Sequence, residues 1–339
     1  MKAVILQEPG TFASITVNTA REPGPGEVLV KVRKIGVCGT DLHAFRGRQP
    51  FFSYPRIIGH ELGVKVIKKG DQVHGLEPGT YCALEPYLYC GKCSACRRGK
   101  TNCCEKLQVM GVHVDGGMQE FMTVNAGHLY PSDKLQPEQL ALVETLGIGA
   151  HAVERAQIDD HDSILVIGAG PIGLSVLQFA KAHPVPLVVT DMNSSRLAFC
   201  QQQMGVKHTL DAADPDFEKN LKTALGGDLP TVIFDATGNP KSMQGAINFL
   251  APGGKLILVG LYQGDFTFHD PLFHKKEVTL MSSRNATGSN FSNIIQMMED
   301  GVIDTTPWIT HHLSMEGVPA NFHHLLDPKA ALIKAMVSV

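Results

Sequence analysis

No run of apolar residues in this chain of 339 approaches the roughly 20 that span a bilayer, so a helical membrane protein is excluded. Blocks of like charge are missing too. Thirty basic residues against 33 acidic ones leave a formal net charge of -3, with no acidic tail or basic stretch, so neither nucleic acid nor an anionic membrane is implied as a partner. There is no internal repeat and no low-complexity segment. The first apolar run, Met1 to Leu6, gives way at once to Gln7-Glu8-Pro9-Gly10; it is too short for a signal-peptide core and reads as a first strand. What remains is an ordinary globular composition, 43% hydrophobic and 19% charged. At roughly 150 residues per domain it is long enough for two domains, expected to be soluble and cytoplasmic.

Two features stand out against that plain background. Glycine is abundant, 34 residues, which points to many tight turns or close backbone approaches. Of eight cysteines, five fall between Cys90 and Cys104. In a large chain without a secretory signal, metal binding in a reducing compartment reads better than disulfides.

The first ~145 residues carry short alternating runs such as Val28, Val30, Val32 and Ile35, broken by Gly, Pro and Asp, and read as mainly β. Residues 137–156 are helical in pattern. Short β-rich runs then follow at 163–167, 187–190, 231–234, 255–259 and 277–281, with helix-like stretches between them at 171–182 and 194–204. Strands alternating with helices predict a parallel, doubly wound sheet. A helix over 290–300 and a final run over 330–339 are too little for a third domain, so they are expected to return to the first one. The boundaries predicted are 1–146 with 286–339 for one domain, and 147–285 for the other.

Ile164-Leu165-Val166-Ile167 leads into Gly168-Ala169-Gly170-Pro171-Ile172-Gly173 and then a helix. A bare GxGxxG is weak evidence; between strand and helix it acquires a mechanism. Gly168 makes the turn, Gly170 admits a pyrophosphate to the backbone, Gly173 lets helix pack on strand, and the helix start at Pro171-Ile172, where proline pre-sets the first turn and has no N–H to lose, offers its unpaired N–H groups to the phosphates. Asp191 closes the second strand, where a carboxylate accepts both ribose hydroxyls and repels a 2′-phosphate, favouring NAD over NADP. Arg196 stacks on adenine or helps to bind that phosphate. Thr237-Gly238 and Val259-Gly260-Leu261, closing later strands, are further cofactor-contact candidates. The bland alternative is a glycine-rich turn in some other α/β protein.

Cys90-x-x-Cys93-x-x-Cys96-x7-Cys104 offers four thiolates, a closed tetrahedral shell that marks a structural zinc. An iron–sulfur cluster or a redox disulfide pair are the alternatives, and Cys103 could replace Cys104. A second, dispersed set comprises Cys38, His60-Glu61 and Glu144. Together a thiolate, an imidazole and a carboxylate could hold zinc while leaving a position open for a substrate oxygen, where the metal lowers the pKa of an alcohol.

The order of Cys38-Gly39-Thr40-Asp41-x-His43, Gly59-His60-Glu61, the four-cysteine lobe and the GxGxxG resembles the zinc-containing medium-chain dehydrogenase/reductase superfamily along essentially the whole chain. That resemblance implies a GroES-like, mainly β catalytic domain and a Rossmann cofactor domain, an α/β architecture holding one catalytic zinc, one structural zinc and NAD. It implies zinc ligation by Cys38, His60 and Glu144, with Glu61 as an exchanging or supporting carboxylate. It assigns the alcohol proton to Thr40 and its passage outward to His43, for which a satisfied surface histidine is the bland alternative, and gives Asp41 the task of orienting a ligand. It also implies a homo-oligomer, dimer or tetramer. The carboxylate at Glu144 is similar to the polyol and threonine dehydrogenase branch. Phe273-His274-Lys275-Lys276-Glu277 and Ser283-Arg284-Asn285-Ala286-Thr287 are similar to enzymes that oxidise an aldonate such as L-galactonate. Arg284 and Lys275 are then candidates to grip the acid group, though either could be structural or bind cofactor.

The chain departs from the family pattern at Val64, with Gly63 one place early, which predicts a shifted loop. It departs again at Thr145, where proline is frequent, and at His183-Pro184-Val185-Pro186, which lacks a glycine. The rivals to a small polyhydroxylated substrate are L-threonine or a simple alcohol on the same fold, and a non-catalytic sensor or binding module.

Overall fold

The computed structural model describes all 339 residues. They form two compact units, Met1–Thr145 with Ala286–Val339, and Leu146–Asn285.

The first unit is built on a seven-stranded sheet. Its order runs Ile309–Ser314, Lys334–Ser338, Glu27–Val37, Glu61–Lys69, Tyr81–Leu84, Leu129–Ser132, with Phe121–Asn125 also pairing to Glu27–Val37. The neighbours are antiparallel except for the parallel pair Ile309–Ser314 and Lys334–Ser338. Alternation dictates which face is covered: Val28, Val30 and Val32 on one strand and Leu62, Val64 and Val66 on its partner are all buried. Each such side chain contributes roughly 1.5–3 kcal/mol by leaving water. Around Val64 the residues form not a loop but the continuous strand Glu61–Lys69, whose register against Glu27–Val37 shifts opposite Val64 and Gly63, between Val32 and Lys34. Gly63 is glycine for a packing reason: a Cβ there would lie 2.0 Å from the carbonyl oxygen of Pro137. The run over 330–339 joins the same sheet as the strand Lys334–Ser338.

The second unit is a six-stranded, all-parallel sheet ordered His208–Asp211, Leu187–Asp191, Ile164–Ile167, Val232–Asp235, Lys255–Leu258, Thr279–Ser282. Ile164–Ile167 lies inside the sheet and is buried along its whole length, as a strand covered on both faces requires. The order reverses beside this strand, the place where doubly wound sheets take ligands beyond their carboxyl ends. Several details add to or differ from the sequence reading. The strand His208–Asp211 and the helix Phe217–Ala224 join the expected set, and the last strand starts at Thr279, because Glu277 adopts a left-handed φ of 49°. The helical stretch before the sheet divides at Leu142 into Pro137–Ala141 and Val143–Ala156. The glycine-free segment 183–186 turns through a Val185 N–H to His183 carbonyl bond of 2.9 Å without any left-handed residue.

Candidate metal centres and dinucleotide turn

Cys38 closes the strand Glu27–Val37 and caps the helix Gly39–Phe45. Its backbone N–H donates to Asp41 Oδ2 at 2.9 Å, which fixes the first turn. His60 and Glu61 enter at the start of the neighbouring strand, where Gly36 pairs with Glu61. A Cβ on Gly36 would stand 2.0 Å from Glu61 Oε2, so only glycine leaves room for the carboxylate. The ligand atoms of Cys38, His60 and Glu61 all lie within 4.8 Å of one another. Glu144 is outside that trio; it sits in the first turn of Val143–Ala156 and its Oε1 accepts the Tyr87 hydroxyl proton.

Electrostatics show what such a site needs. Asp41, Glu61 and Glu144 are all buried, and Lys334 is the buried ammonium that faces them. Lys334 donates to both Glu61 oxygens, at 2.6 and 2.8 Å, and to Thr145 Oγ1 at 3.2 Å. Burial pushes the Asp41 and Glu144 carboxyls up. Burial alone would lower His60, but the Asp41 carboxylate and then the Cys38 sulfur outweigh it and hold the imidazole well above 6.5. His60 Nδ1 and Asp41 Oδ1 face each other at 3.8 Å, both without a hydrogen-bond partner. Three buried carboxyl groups and a thiol face one lysine and an imidazole that would turn neutral on ligation, so the centre has room for a further cation, and the donor set fits zinc. On the same helix, Thr40 is half-buried and His43 is exposed one turn later. Partial burial, then Arg46 and Arg48, lower the His43 pKa, which favours the neutral imidazole.

The four-cysteine lobe forms a separate site. The sulfurs of Cys90, Cys93, Cys96 and Cys104 lie within 4.8 Å of one another, with Cys93 to Cys96 at 3.4 Å and Cys90 to Cys96 at 4.0 Å. Tetrahedral zinc with bonds of about 2.3 Å spaces its sulfurs by about 3.8 Å, in the middle of that range. Backbone N–H groups of Cys90 and Lys106 point at the Cys104 sulfur, both at 3.3 Å. Backbone N–H groups, that of Cys96 first, also bring the Cys93 thiol down to about 6, which favours its thiolate, whereas burial pushes the neighbouring Cys96 thiol up to about 12. Cys104 is the buried member of the adjacent pair; Cys103 is exposed and outside the cluster.

In the second unit Gly168 turns with φ 97°, and a Cβ on Gly173 would lie 1.7 Å from its carbonyl oxygen, so the helix Pro171–Ala180 can start here only on a glycine. Gly170 caps that helix. Asp191 accepts the Ala169 N–H at 2.7 Å and the Asn193 N–H at 2.8 Å, one on each oxygen, and keeps a lone pair free on both. Arg196 Nη1 stands 3.9 Å from Asp191 Oδ2 and would meet a Cβ on Gly170 at 3.6 Å, so the guanidinium adjoins the phosphate turn. Thr237 bonds back to Asp235, and Val259 and Gly260 donate to the Asp235 carbonyl, both at 2.9 Å. Gly238 and Gly260 are within backbone contact, with Leu261 exposed beside them. Arg284 is exposed two residues past the last strand, and Lys275 is exposed in the last turn of Asp270–Lys275. Sequence reasoning did not single out Tyr87 or Lys334. A lysine inside the apolar strand Lys334–Ser338 was the available signal for the second.

Residues 24–134 match the family described as alcohol dehydrogenase GroES-like domain, and residues 171–300 match zinc-binding dehydrogenase. L-galactonate-5-dehydrogenase of Escherichia coli K12 is 40% identical over 316 residues, 93% of each chain. L-threonine 3-dehydrogenase of Pyrococcus horikoshii is 30% identical across 92% of this chain and 91% of its own. An alcohol dehydrogenase of Escherichia coli CFT073, solved with NADH, superposes with a TM-score of 0.91 at 28% identity, covering 100% of this chain and 99% of that one. No helix is long and apolar enough to cross a membrane.

Proposed function

The chain belongs to the zinc-binding dehydrogenases that carry an alcohol dehydrogenase GroES-like domain, and on that footing we propose that it oxidises a secondary hydroxyl of a sugar acid or polyol, an aldonate such as L-galactonate, with NAD as acceptor. The observation that carries this reading is the convergence of half-buried Cys38 with buried His60 and Glu61, with Glu144 and Asp41 also buried in the same unit, on a chain 40% identical to an enzyme named for an aldonate.

Zinc in this trio would supply a Lewis acid that lowers the pKa of an alcohol, and NAD would take the hydride. The protein's own groups do the rest. Cys38 and His60 would hold the metal with Glu61 or Glu144, and Asp41, facing Nδ1, would orient the His60 ring. Thr40 takes the proton of the substrate hydroxyl. His43, three residues on and on the same helix face, passes it to solvent, for which a lowered pKa keeps it ready to accept near neutrality. Arg284 and Lys275, both exposed, are the candidates to grip an acid group or to bind the cofactor. Eight free cysteines, four of them gathered in one lobe, support a reducing, cytoplasmic setting, and the family supports a homo-oligomer.

Incubation with NAD and a panel of aldonates, hexitols and L-threonine, followed by NADH absorbance, tests the assignment. Turnover should be greatest on an aldonate. Exclusive turnover of L-threonine would instead select the second reading, which the 30% identity to L-threonine 3-dehydrogenase favours. The cofactor choice has its own variant. Asp191→Ser should raise the KM for NAD by about tenfold, the loss of one charged hydrogen-bonding partner, and admit NADP. Unchanged NAD kinetics would remove Asp191 from the ribose.

A further inference from the structure

Among the groups this chemistry leaves unused, one cluster is organised around an acid and a base. Glu85 follows the strand Tyr81–Leu84 and is 1% exposed. Its Oε2 accepts the Tyr130 hydroxyl at 2.9 Å, whereas Oε1 is buried with no partner. His128 accepts the Glu85 N–H on its carbonyl at 2.8 Å and brings its ring Nδ1 to 4.0 Å from Oε2. That is too long for a hydrogen bond, and the buried Nδ1 also has no partner. Native proteins rarely leave two such atoms unsatisfied side by side. The cluster is also built in: a Cβ on Gly288, at the start of the helix Gly288–Glu299, would lie 2.2 Å from the Tyr130 oxygen and 3.6 Å from Glu85 Oε2. Towards the surface, the partly exposed Tyr89 ring packs edge-on against His128 at 5.5 Å.

The cluster adjoins the metal centre through matched contacts. Phe291 packs against Tyr130 at 5.1 Å and against Tyr87 at 6.4 Å. Tyr130 donates to Glu85 as Tyr87 donates to Glu144. We propose that Glu85, His128 and Tyr130 form a proton-binding site that, by gaining or losing one proton, resets the Tyr87 to Glu144 hydrogen bond, making Glu85 a positioning residue for the dehydrogenase. The inference rests on reading Glu144 as part of the metal centre; its test does not depend on which alcohol is oxidised.

The direction follows from the charges. Burial lifts Glu85 to about 7 against the opposing Tyr130 bond, and burial lowers His128, so below that pH the proton resides on Glu85 and the imidazole stays neutral. Above it, the Glu85 charge adds to burial and Glu144 in raising Tyr87, which makes Tyr87 the poorer donor to Glu144. The titratable groups facing Glu85 are Tyr130 and His128 from the segment around the strand Leu129–Ser132, and Tyr87 and Tyr89 from the segment after Tyr81–Leu84. The helix Gly288–Glu299 brings only Glu299, in its last turn and bonded to Ser132 at 2.6 Å. Because the folded pKa is raised, the stability that Glu85 contributes is complete below its ordinary value of 4.5 and is lost as pH rises through about 7.

Infrared difference spectra of the zinc-loaded full chain between about pH 5.5 and about pH 8.5 read the proton directly. A protonated-carboxyl band should vanish with a midpoint near 7, and the tyrosine bands should shift with the same midpoint. Both changes should be absent from Glu85→Gln. Tyr130→Phe, which removes the bond that opposes burial, should move the midpoint up by about one pH unit and serves if Glu85→Gln fails to fold. No carboxyl band titrating near neutrality, a band unchanged in Glu85→Gln, or a band whose titration leaves the tyrosine signal still would each overturn the proposal.

Discussion

Cys38→Ser should bind one zinc per chain where the parent binds two, and turn over about a thousandfold more slowly, the equivalent of about 4 kcal/mol in the barrier. Serine keeps the helix start intact, since it is among the preferred caps and the Asp41 bond comes from the backbone N–H of residue 38. What is lost is a soft anionic ligand from a trio whose other members are an imidazole and a carboxylate already engaged by Lys334. The four-cysteine lobe shares no residue with that trio, so its zinc should remain. Metal analysis beside turnover separates the sites. Two zincs with unaltered turnover would show that residue 38 holds no metal.

Lys334→Met should destabilise the metal-free protein by about 3–5 kcal/mol, the cost of leaving a buried charge without its partner. Lys334 is 2% exposed and Glu61 0%, so water cannot replace the ammonium. The denaturation midpoint in urea, measured with and without zinc, checks this. The loss should shrink when zinc is present, because the freed carboxylate then has a cation to face. Adding Glu61→Gln should restore much of the stability, since a neutral amide no longer needs the lysine. A single variant as resistant as the parent would mean that the ion pair contributes nothing.

Short motifs were the legible part of the site. The glycine turn, the four-cysteine spacing and Cys38 with Thr40 and His43 are local in sequence, and the geometry each needs is written within a few residues. The partners that set their electrostatics are not local. Tyr87 meets Glu144 across 57 positions, and Lys334 meets Glu61 across 273, so no periodicity announces either bond. The identity of the carboxylate beside Cys38 and His60 depends on such contacts. Sequence reasoning put Glu144 in that place with Glu61 in support, whereas the structure groups Glu61 with Cys38 and His60 and ties Glu144 to Tyr87. Thr145, read as a departure from proline, accepts a bond from Lys334.

For the fold, strands buried on both faces were evident as apolar runs. The edge strand His208–Asp211 is only half covered and mixes His, Thr, Leu and Asp, so it carries no such run. The helix Phe217–Ala224 did leave a trace, in the buried Phe217, Leu221 and Leu225 at intervals of four. The homogeneous helical pattern over 137–156 concealed a break at Leu142, because apolar residues continue on both sides of it.

The strand Lys334–Ser338 lies between Ile309–Ser314 and Glu27–Val37, so the first unit's sheet is complete only when segments from both sides of Leu146–Asn285 have met. During synthesis on the ribosome, the contiguous unit is able to collapse as soon as it has emerged, whereas the interrupted one must wait. The growing polypeptide thus holds an unfinished sheet, with the Cys38 end of Glu27–Val37 lacking a neighbour, until the late segment docks. Entry of Lys334 beside Glu61 is among the last events, and nascent chains paused before it should be the species most in need of chaperone protection.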